Sequence, residues 1–303
     1  MTPSSHLASG KDYFGLLGFP LAVRRVRTDM GQKVSHPHDL TEIEHYHDFC
    51  ELTIVSSGSA IHNLEGTESP VTAGDVFLLQ GRQRHYFHSR EKLNLVNIMY
   101  DPDAIGLPEK ELMRLPGYCA MFLLEPTYRR QHRFISLLHL KRIPLAQVER
   151  IAEEMEKESL EQQAGYEVAL LSKLLELIVF LSRLYIHSET TEAQALLRVG
   201  NVIGSLENEY AKEWTLADLL KIAHMSRSNF MRVFKKATGQ SPIEYLLRLR
   251  IQEGMKRLLK TDMTITEIAM DVGFNDSNYF SRQFRQAVGQ SPRSFRMSGQ
   301  LKK

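Results

Sequence analysis

His45, His47 and Glu51 lie two and four residues apart in Glu44-His45-Tyr46-His47-Asp48-Phe49-Cys50-Glu51. On an extended chain, side chains separated by even numbers project from one face. Two imidazoles and a carboxylate on one face are a donor set that suits zinc, iron, nickel or manganese. The same side chains can instead line a pocket and hydrogen-bond the hydroxyls of a polyol, since small-molecule sites carry a few placed polar groups among apolar ones. The residues alone leave both readings open.

The elements around this segment read as strands. Leu52-Thr53-Ile54-Val55, Asp75-Val76-Phe77-Leu78-Leu79 and Leu93-Asn94-Leu95-Val96-Asn97-Ile98 are short and apolar or alternating. Ser56-Ser57-Gly58-Ser59, Glu65-Gly66-Thr67 and Ala73-Gly74 are expected turns between them. Strands at this spacing predict a sandwich or small barrel. Prolines 102, 108, 116, 126 and 144 interrupt residues 101–145, which give no firm reading. From Gln147 the period becomes helical: Val148, Ile151 and Met155, then Val168, Leu171, Leu174, Leu175, Ile178, Leu181 and Leu184, with Gly165 between two helices. So wide an apolar stripe needs partners on more than one side, which predicts packing on the strand domain, a homodimer interface, or both. The polar run Ser188–Glu192 reads as a linker.

Composition limits the function classes. The chain has 303 residues and two cysteines, Cys50 and Cys119, too few for a disulfide scaffold and in keeping with a reducing compartment. It has no run of 18 apolar residues, so no membrane span is expected. The apolar Tyr13–Val23 segment reads as an early strand and not a secretion signal. A cytoplasmic location follows as the expectation. The net charge of +2 conceals an asymmetry. Residues 201–303 hold 17 Lys+Arg against 10 Asp+Glu, and the first 200 residues hold 21 against 26. A basic module on a mildly acidic one suggests a polyanion partner for the basic end.

That end contains a repeat. Phe230-Met231-Arg232-Val233-Phe234 through Gly239-Gln240-Ser241-Pro242 aligns at an offset of 50 with Phe280-Ser281-Arg282-Gln283-Phe284 through Gly289-Gln290-Ser291-Pro292. Upstream, Leu219-Leu220 and Ile268-Ala269 align at an offset of 49. Thr215 with Asp218, and Thr264 with Glu267, predict capping boxes. Short helices are expected over 216–223 and 265–272, then turns at His224-Met225 and Gly273-Phe274-Asn275. Ser226 and Asp276 can cap the second helices, and Gly239 and Gly289 can end them. Helix, turn, helix is a DNA-binding arrangement. Phe230, Val233, Phe234, Phe280 and Phe284 would face inward. The candidates for DNA contact are Arg227, Ser228, Met231, Arg232 and Lys235 in one copy. In the other they are Asp276, Ser277, Asn278, Ser281, Arg282 and Arg285. Arg can take guanine edges and Asn adenine, while cations further along suit phosphates. The helix expected over 245–259 would hold two recognition helices at a spacing that suits successive major grooves.

The run from Gly273 to Phe284, followed by Gly289-Gln290-Ser291-Pro292, resembles the AraC/XylS family of bacterial transcription regulators. His224 stands where the family has a small residue before the turn. Glu44–Val55, Ile61-His62 and Val96–Tyr100 are similar to the rhamnose-responsive branch of that family, over most of residues 40–100. The resemblance implies an α+β multidomain chain, with a cupin-like ligand-sensing β-barrel at 1–140 and a helical dimerisation and linker region at 141–192. An all-α DNA-binding domain follows at 193–303, with helix-turn-helix units at 215–240 and 264–290. It further implies double-stranded DNA and RNA polymerase as partners, a homodimer, and a sugar effector such as L-rhamnose. The regulated genes would then be a carbohydrate-utilisation operon, with activation the expected mode.

The spacing of His45, His47 and Glu51 with Gly58 after them, and of a second stretch from Gly74 to His85, resembles both cupin metal motifs. That resemblance adds His85 to His45, His47 and Glu51, as divalent-metal ligands or as ligand-binding residues. Gln80 and Arg82 depart from the motif, which usually has Pro and Gly there. Two rival classes stand beside the regulator: a metal-dependent cupin enzyme, such as a sugar isomerase or dioxygenase, with a DNA-binding tail, and a ligand-independent DNA binder. The two recognition helices favour the regulator.

Overall fold

The computed structural model describes residues 6–14, 18–27, 43–129 and 138–300. The chain forms two compact units, 1–197 and 198–303. The first is built on one eight-stranded sheet: β1 (His6–Ala8), β2 (Leu21–Arg27), β3 (His45–His47), β4 (Cys50–Leu64), β5 (Thr67–Thr72), β6 (Asp75–Leu79), β7 (His85–Tyr100) and β8 (Leu138–His139). The order is β1-β3-β7-β4-β6-β8, with β2 also on β7 and β5 also on β4. Two long strands organise it. β4 pairs along most of its length with β7, and on its other side first with β6 and then with β5. The interior is apolar, with Val26, Val55, Leu64, Val71, Phe77, Leu79, Phe87 and Leu95 in one buried cluster.

Ser56-Ser57-Gly58-Ser59 is not the turn that its composition predicts. It lies inside β4, where the register against β7 slips between Val55 and Ile61. Gly58 has φ +74°, and a Cβ there would fall 2.3 Å from the Lys92 carbonyl oxygen. The polar small residues thus form a bulge that bends a continuous strand. Glu65-Gly66 and Ala73-Gly74 are turns, the first closed by Asn63 Oδ1 accepting from Gly66 N at 3.0 Å.

Helix α1 (Gly10–Tyr13) precedes β2. Residues 101–129, which gave no reading from sequence, form α2 (Pro102–Ile105), α3 (Glu109–Leu112), α4 (Pro116–Tyr118), a π-helical turn (Cys119–Leu124) and α5 (Glu125–Arg129). Arg129 ties α5 to the sheet by donating to the Leu78 carbonyl. Helices α6 (Arg142–Glu161) and α7 (Tyr166–Tyr185) follow, separated by a left-handed Gly165. Arg25 on β2 donates from Nε to Glu156 on α6 at 2.9 Å. Leu170, Leu174, Leu177, Ile178, Leu181 and Tyr185 bury one side of α7, while Val168 is 72% exposed. The unit boundary falls within α8 (Thr191–Asn208). Among the described residues, no helix is long and apolar enough to cross a membrane. Cys50 and Cys119 are buried free thiols.

The second unit is helical: α9 (Leu216–Ala223), α10 (Arg227–Thr238), α11 (Pro242–Lys260), α12 (Ile265–Asp271), α13 (Ser277–Val288) and α14 (Pro292–Gln300). Three capping boxes punctuate it, at Thr215/Asp218, Ser241/Glu244 and Thr264/Glu267. The central α11 packs against α10, α12, α13 and α14.

Candidate ligand pocket and nucleic-acid interface

Strand β3 places His45 directly opposite His85 on β7. A bend at residues 48 and 49 follows, yet the even spacing survives it. Phe49 tucks inward, its ring stacked on His47 at 4.8 Å, and Glu51 returns to the face of the histidines. All four expected residues are buried. Nε2 of His47 lies 2.7 Å from Glu51 Oε2 and 2.8 Å from His85 Nε2. His45, His47 and His85 each bring a ring nitrogen within 4.8 Å of the others. His45 Nδ1 is 3.1 Å from the Ile43 carbonyl. Gln80, one of the motif departures, donates from Nε2 to the Phe122 carbonyl at 2.8 Å, and Arg82 is exposed.

His62 completes the cluster. Its Nε2 lies 3.3 Å from His85 Nδ1. Burial, with the charges of Arg129 and His45, pushes the His62 pKa down to about 3, so this ring is neutral. Burial likewise holds His85 well below the ordinary imidazole range, helped by His45, His47 and His62. A neutral imidazole carries one proton. If His85 donates from Nδ1 to His62, its Nε2 presents a lone pair to His47. Burial alone would raise the Glu51 carboxyl, but the charge and hydrogen bond of His47, with His45, outweigh it and hold Glu51 below its usual range. A carboxylate and converging nitrogen lone pairs need a cation between them, either one shared proton on His47 Nε2 or a divalent metal. The donor set fits a metal, and His47 Nδ1 is buried with no hydrogen-bond partner among the described residues. These side chains line a cleft with apolar walls from Tyr13, Val26, Phe49, Phe87, Leu95 and Met99.

The C-terminal unit presents a second surface. Ser226 caps α10 by accepting from Asn229 N, and Asp276 caps α13 by accepting from Asn278 N and Tyr279 N. Phe230, Val233, Phe234, Phe280 and Phe284 are buried. Arg227, Ser228, Arg232 and Lys235 are exposed on α10 and Met231 half-buried; Asp276, Asn278, Arg282 and Arg285 are exposed on or beside α13, with Ser277 and Ser281 half-buried. Two arginines at equivalent places are held by their own helices. Arg232 Nη2 donates to Asn229 Oδ1 at 2.8 Å, and the Arg282 guanidinium lies 5.8 Å from the Tyr279 ring centre. Behind them, Arg250 donates to the Tyr210 and Lys212 carbonyls, both at 2.8 Å.

A ligand-binding sheet domain joined to a double helix-turn-helix unit defines a DNA-binding transcription regulator. The helix-turn-helix domain family matches residues 219–298, and the AraC-like ligand binding domain family matches residues 31–178. The chain is 31% identical to the HTH-type transcriptional activator RhaS of Pectobacterium atrosepticum, over 84% of this chain and 87% of that protein. It is 30% identical to RhaS of Escherichia fergusonii over the same shares. With RhaR of Enterobacter sp. strain 638 it shares 29% over 92% of this chain and 98% of that one. The chain belongs to the AraC family of transcription regulators. The match identifies a regulator and not a metal-dependent enzyme with a DNA-binding tail.

Proposed function

We propose that this regulator is an activator of a carbohydrate-utilisation operon, controlled by a sugar bound in the N-terminal barrel, with L-rhamnose the first candidate. The observation that carries the reading is the buried His/Glu cluster inside an apolar-walled cleft, on the same chain as two helix-turn-helix units. A sugar presents apolar ring faces and ordered hydroxyls, and such a cleft meets both. His45, His47, Glu51 and His85 bind the ligand, directly or through a divalent metal that they hold. A metal there would supply positive charge to an oxygen of the ligand. Ligand shifts the regulator between two arrangements by binding one better than the other.

In this reading residues 1–140 sense, 141–192 dimerise and 193–303 read DNA in the cytoplasm. Val168, Leu171 and Leu175, left partly or largely exposed on α7, form the stripe for a second copy. The exposed faces of α10 and α13 take double-stranded DNA, with RNA polymerase the further partner. Thermal unfolding of the full chain against deoxysugars, aldoses and uronic acids, with and without chelator, tests the sensor. A bound effector raises the melting temperature by mass action. No shift with any of them removes the sugar reading and leaves the DNA reading intact.

A further inference from the structure

Three adjacent strands carry polar residues in one register row. Arg24 on β2 faces Asn97 on β7, and Asn97 faces Thr53 on β4. Directly opposed residues project to the same side of a sheet. The rows on either side are interior. Ala22 and Met99 pack with Tyr13 and Phe49, and Met99 faces Glu51 of the histidine cluster. Val26, Leu95 and Val55 belong to the main core. The row of Arg24, Asn97 and Thr53 is therefore inside the barrel, one step from Glu51. Arg25, its neighbour in sequence, points the other way, to Glu156.

Each member of the row holds a buried polar atom with no hydrogen-bond partner among the described residues: Arg24 Nε, Asn97 Oδ1 and Thr53 Oγ1. Thr53 is 0% and Asn97 8% exposed, and Asn97 lines the cleft of the histidines. Arg24 is half-buried and makes no ion pair among the described residues, whereas buried Arg129 is paired with Glu125. Folded proteins pair the large majority of their buried polar groups, because each unpaired one is destabilising. Three in one row, with Asn97 on the cleft of the histidines and Arg24 on a second cleft bounded by residues of α6 and α7, mark a site whose partner is a ligand.

The chemistry of the three narrows that ligand. A guanidinium presents a planar fork of donors that matches a carboxylate. Asn97 Oδ1 accepts only, so it calls for a hydroxyl donor, and Thr53 can donate or accept. Arg90, which also lines the histidine cleft, is tied through Nε to the Phe87 carbonyl at 3.2 Å, so Arg24 is the guanidinium this row offers, and the Glu51 carboxylate of the adjacent row disfavours a phosphate dianion. We propose that this row is the recognition subsite for the effector, and that the effector is a polyhydroxy carboxylate, an aldonate or uronate. Its carboxylate sits on Arg24, and its hydroxyls meet Asn97 and Thr53. The inference rests on the reading that a sugar binds in the barrel, and moves the candidate from a neutral sugar to an acidic one.

Calorimetric titration of the full chain tests it with D-galacturonate, D-glucuronate, D-gluconate and L-rhamnonate beside D-galactose, D-glucose and L-rhamnose. One acid is expected to bind at least about tenfold more tightly than its neutral counterpart. Arg24→Gln should shrink that preference to within about threefold while leaving the ligand-free melting temperature unchanged or higher, since it removes an unpartnered charge. Arg24→Lys, which keeps the charge and loses the fork, should retain part of the preference. Thr53→Val should weaken acid and neutral sugar alike. A neutral sugar that binds as tightly as its acid overturns the carboxylate inference and spares the sugar reading. An acid preference that survives Arg24→Gln, or a fall in melting temperature with no change in preference, removes Arg24 as the reader. Binding of neither class overturns both readings.

Discussion

His224 and Gly273 occupy equivalent places in the two helix-turn-helix units, and both adopt left-handed backbone, with φ of 47° and 92°. The chain must reverse there within two or three residues, and this conformation does it. Glycine accepts it freely, and a histidine is strained by about 1–2 kcal/mol. The histidine is exposed, and its carbonyl accepts from Arg198 at 3.2 Å. His224→Gly should therefore stabilise the C-terminal unit by about 0.5–1 kcal/mol, strain relief less the extra entropy of glycine. Gly273→Ala should destabilise it by at least about 2 kcal/mol. Its Cβ would lie 2.6 Å from the Ala211 carbonyl oxygen. Urea unfolding followed by the fluorescence of Trp214, the single tryptophan of the chain, measures both. Equal effects of opposite expectation, or a destabilising His224→Gly, would show that the left-handed turn is not the source of strain.

The punctuation of this unit was legible because it is local. A Thr or Ser with an acidic residue three places on makes a capping box wherever the chain goes next, and Thr215, Ser241 and Thr264 all do so. Two boundaries differ: α12 ends at Asp271 and not Val272, which serves as the cap, and α11 spans Pro242–Lys260 where 245–259 is the expectation. The barrel was legible only in part. The parity that joins His45, His47 and Glu51 survives one bend, so those residues meet as the spacing predicts. His62 does not follow that parity from Glu51. The bulges between Val55 and Ile61 switch which residues of β4 face inward, from odd-numbered Glu51 and Val55 to even-numbered His62 and Leu64. Nothing local in Ser56–Ser59 distinguishes such a bulge from a turn. Arg24 was hidden for a different reason: its place beside Asn97 and Thr53 depends on the register of three strands far apart in sequence.

Arg282 and Lys235 should separate base reading from phosphate contact. Arg282→Ala is expected to weaken binding to the specific operator by about 1–3 kcal/mol and to relax preference at one base pair. Lys235→Ala is expected to weaken binding to all sequences alike, and to lower the slope of log K against log salt by about one. Fluorescence anisotropy over a salt series with operator and scrambled duplexes reads both. An Arg282→Ala protein with unchanged operator affinity would take α13 out of the readout.

Acid should unfold the C-terminal unit through its capping carboxylates. The Thr215 hydroxyl and backbone hold Asp218 below its ordinary range, and Ser241 and Thr264 do the same for Glu244 and Glu267, in each case chiefly through the backbone N–H. A carboxyl depressed in the folded state contributes stability that is complete above its unfolded value and is lost as pH falls through its folded value. Unfolding free energy followed at Trp214 should thus feel little from these groups at pH 5–7, and fall below about pH 4. The combined Asp218→Asn, Glu244→Gln, Glu267→Gln protein should be less stable at pH 7 and show a shallower loss toward acid. An equally steep loss in that variant would assign the acid sensitivity to other groups.

His62 provides the sharpest test of the metal reading, because it touches His85 and not the point where the other side chains converge. If His45, His47, Glu51 and His85 hold a divalent ion, purified protein dialysed against zinc or manganese should retain about one ion per chain by elemental analysis. His47→Gln and Glu51→Gln should each abolish retention. A hydrogen bond to the far nitrogen of a ligating histidine orients the ring, and its loss typically weakens metal affinity 10–100-fold. His62→Leu, similar in size and suited to the walls of Phe77 and Phe87 on which the ring stacks, should therefore keep the stoichiometry and weaken the affinity by about that factor. In a cluster held by a shared proton the three variants would behave differently. No ion would be retained by the parent protein, and Glu51→Gln would leave a neutral amide where the carboxylate accepts from His47. Its melting temperature would then fall at neutral pH with or without added metal.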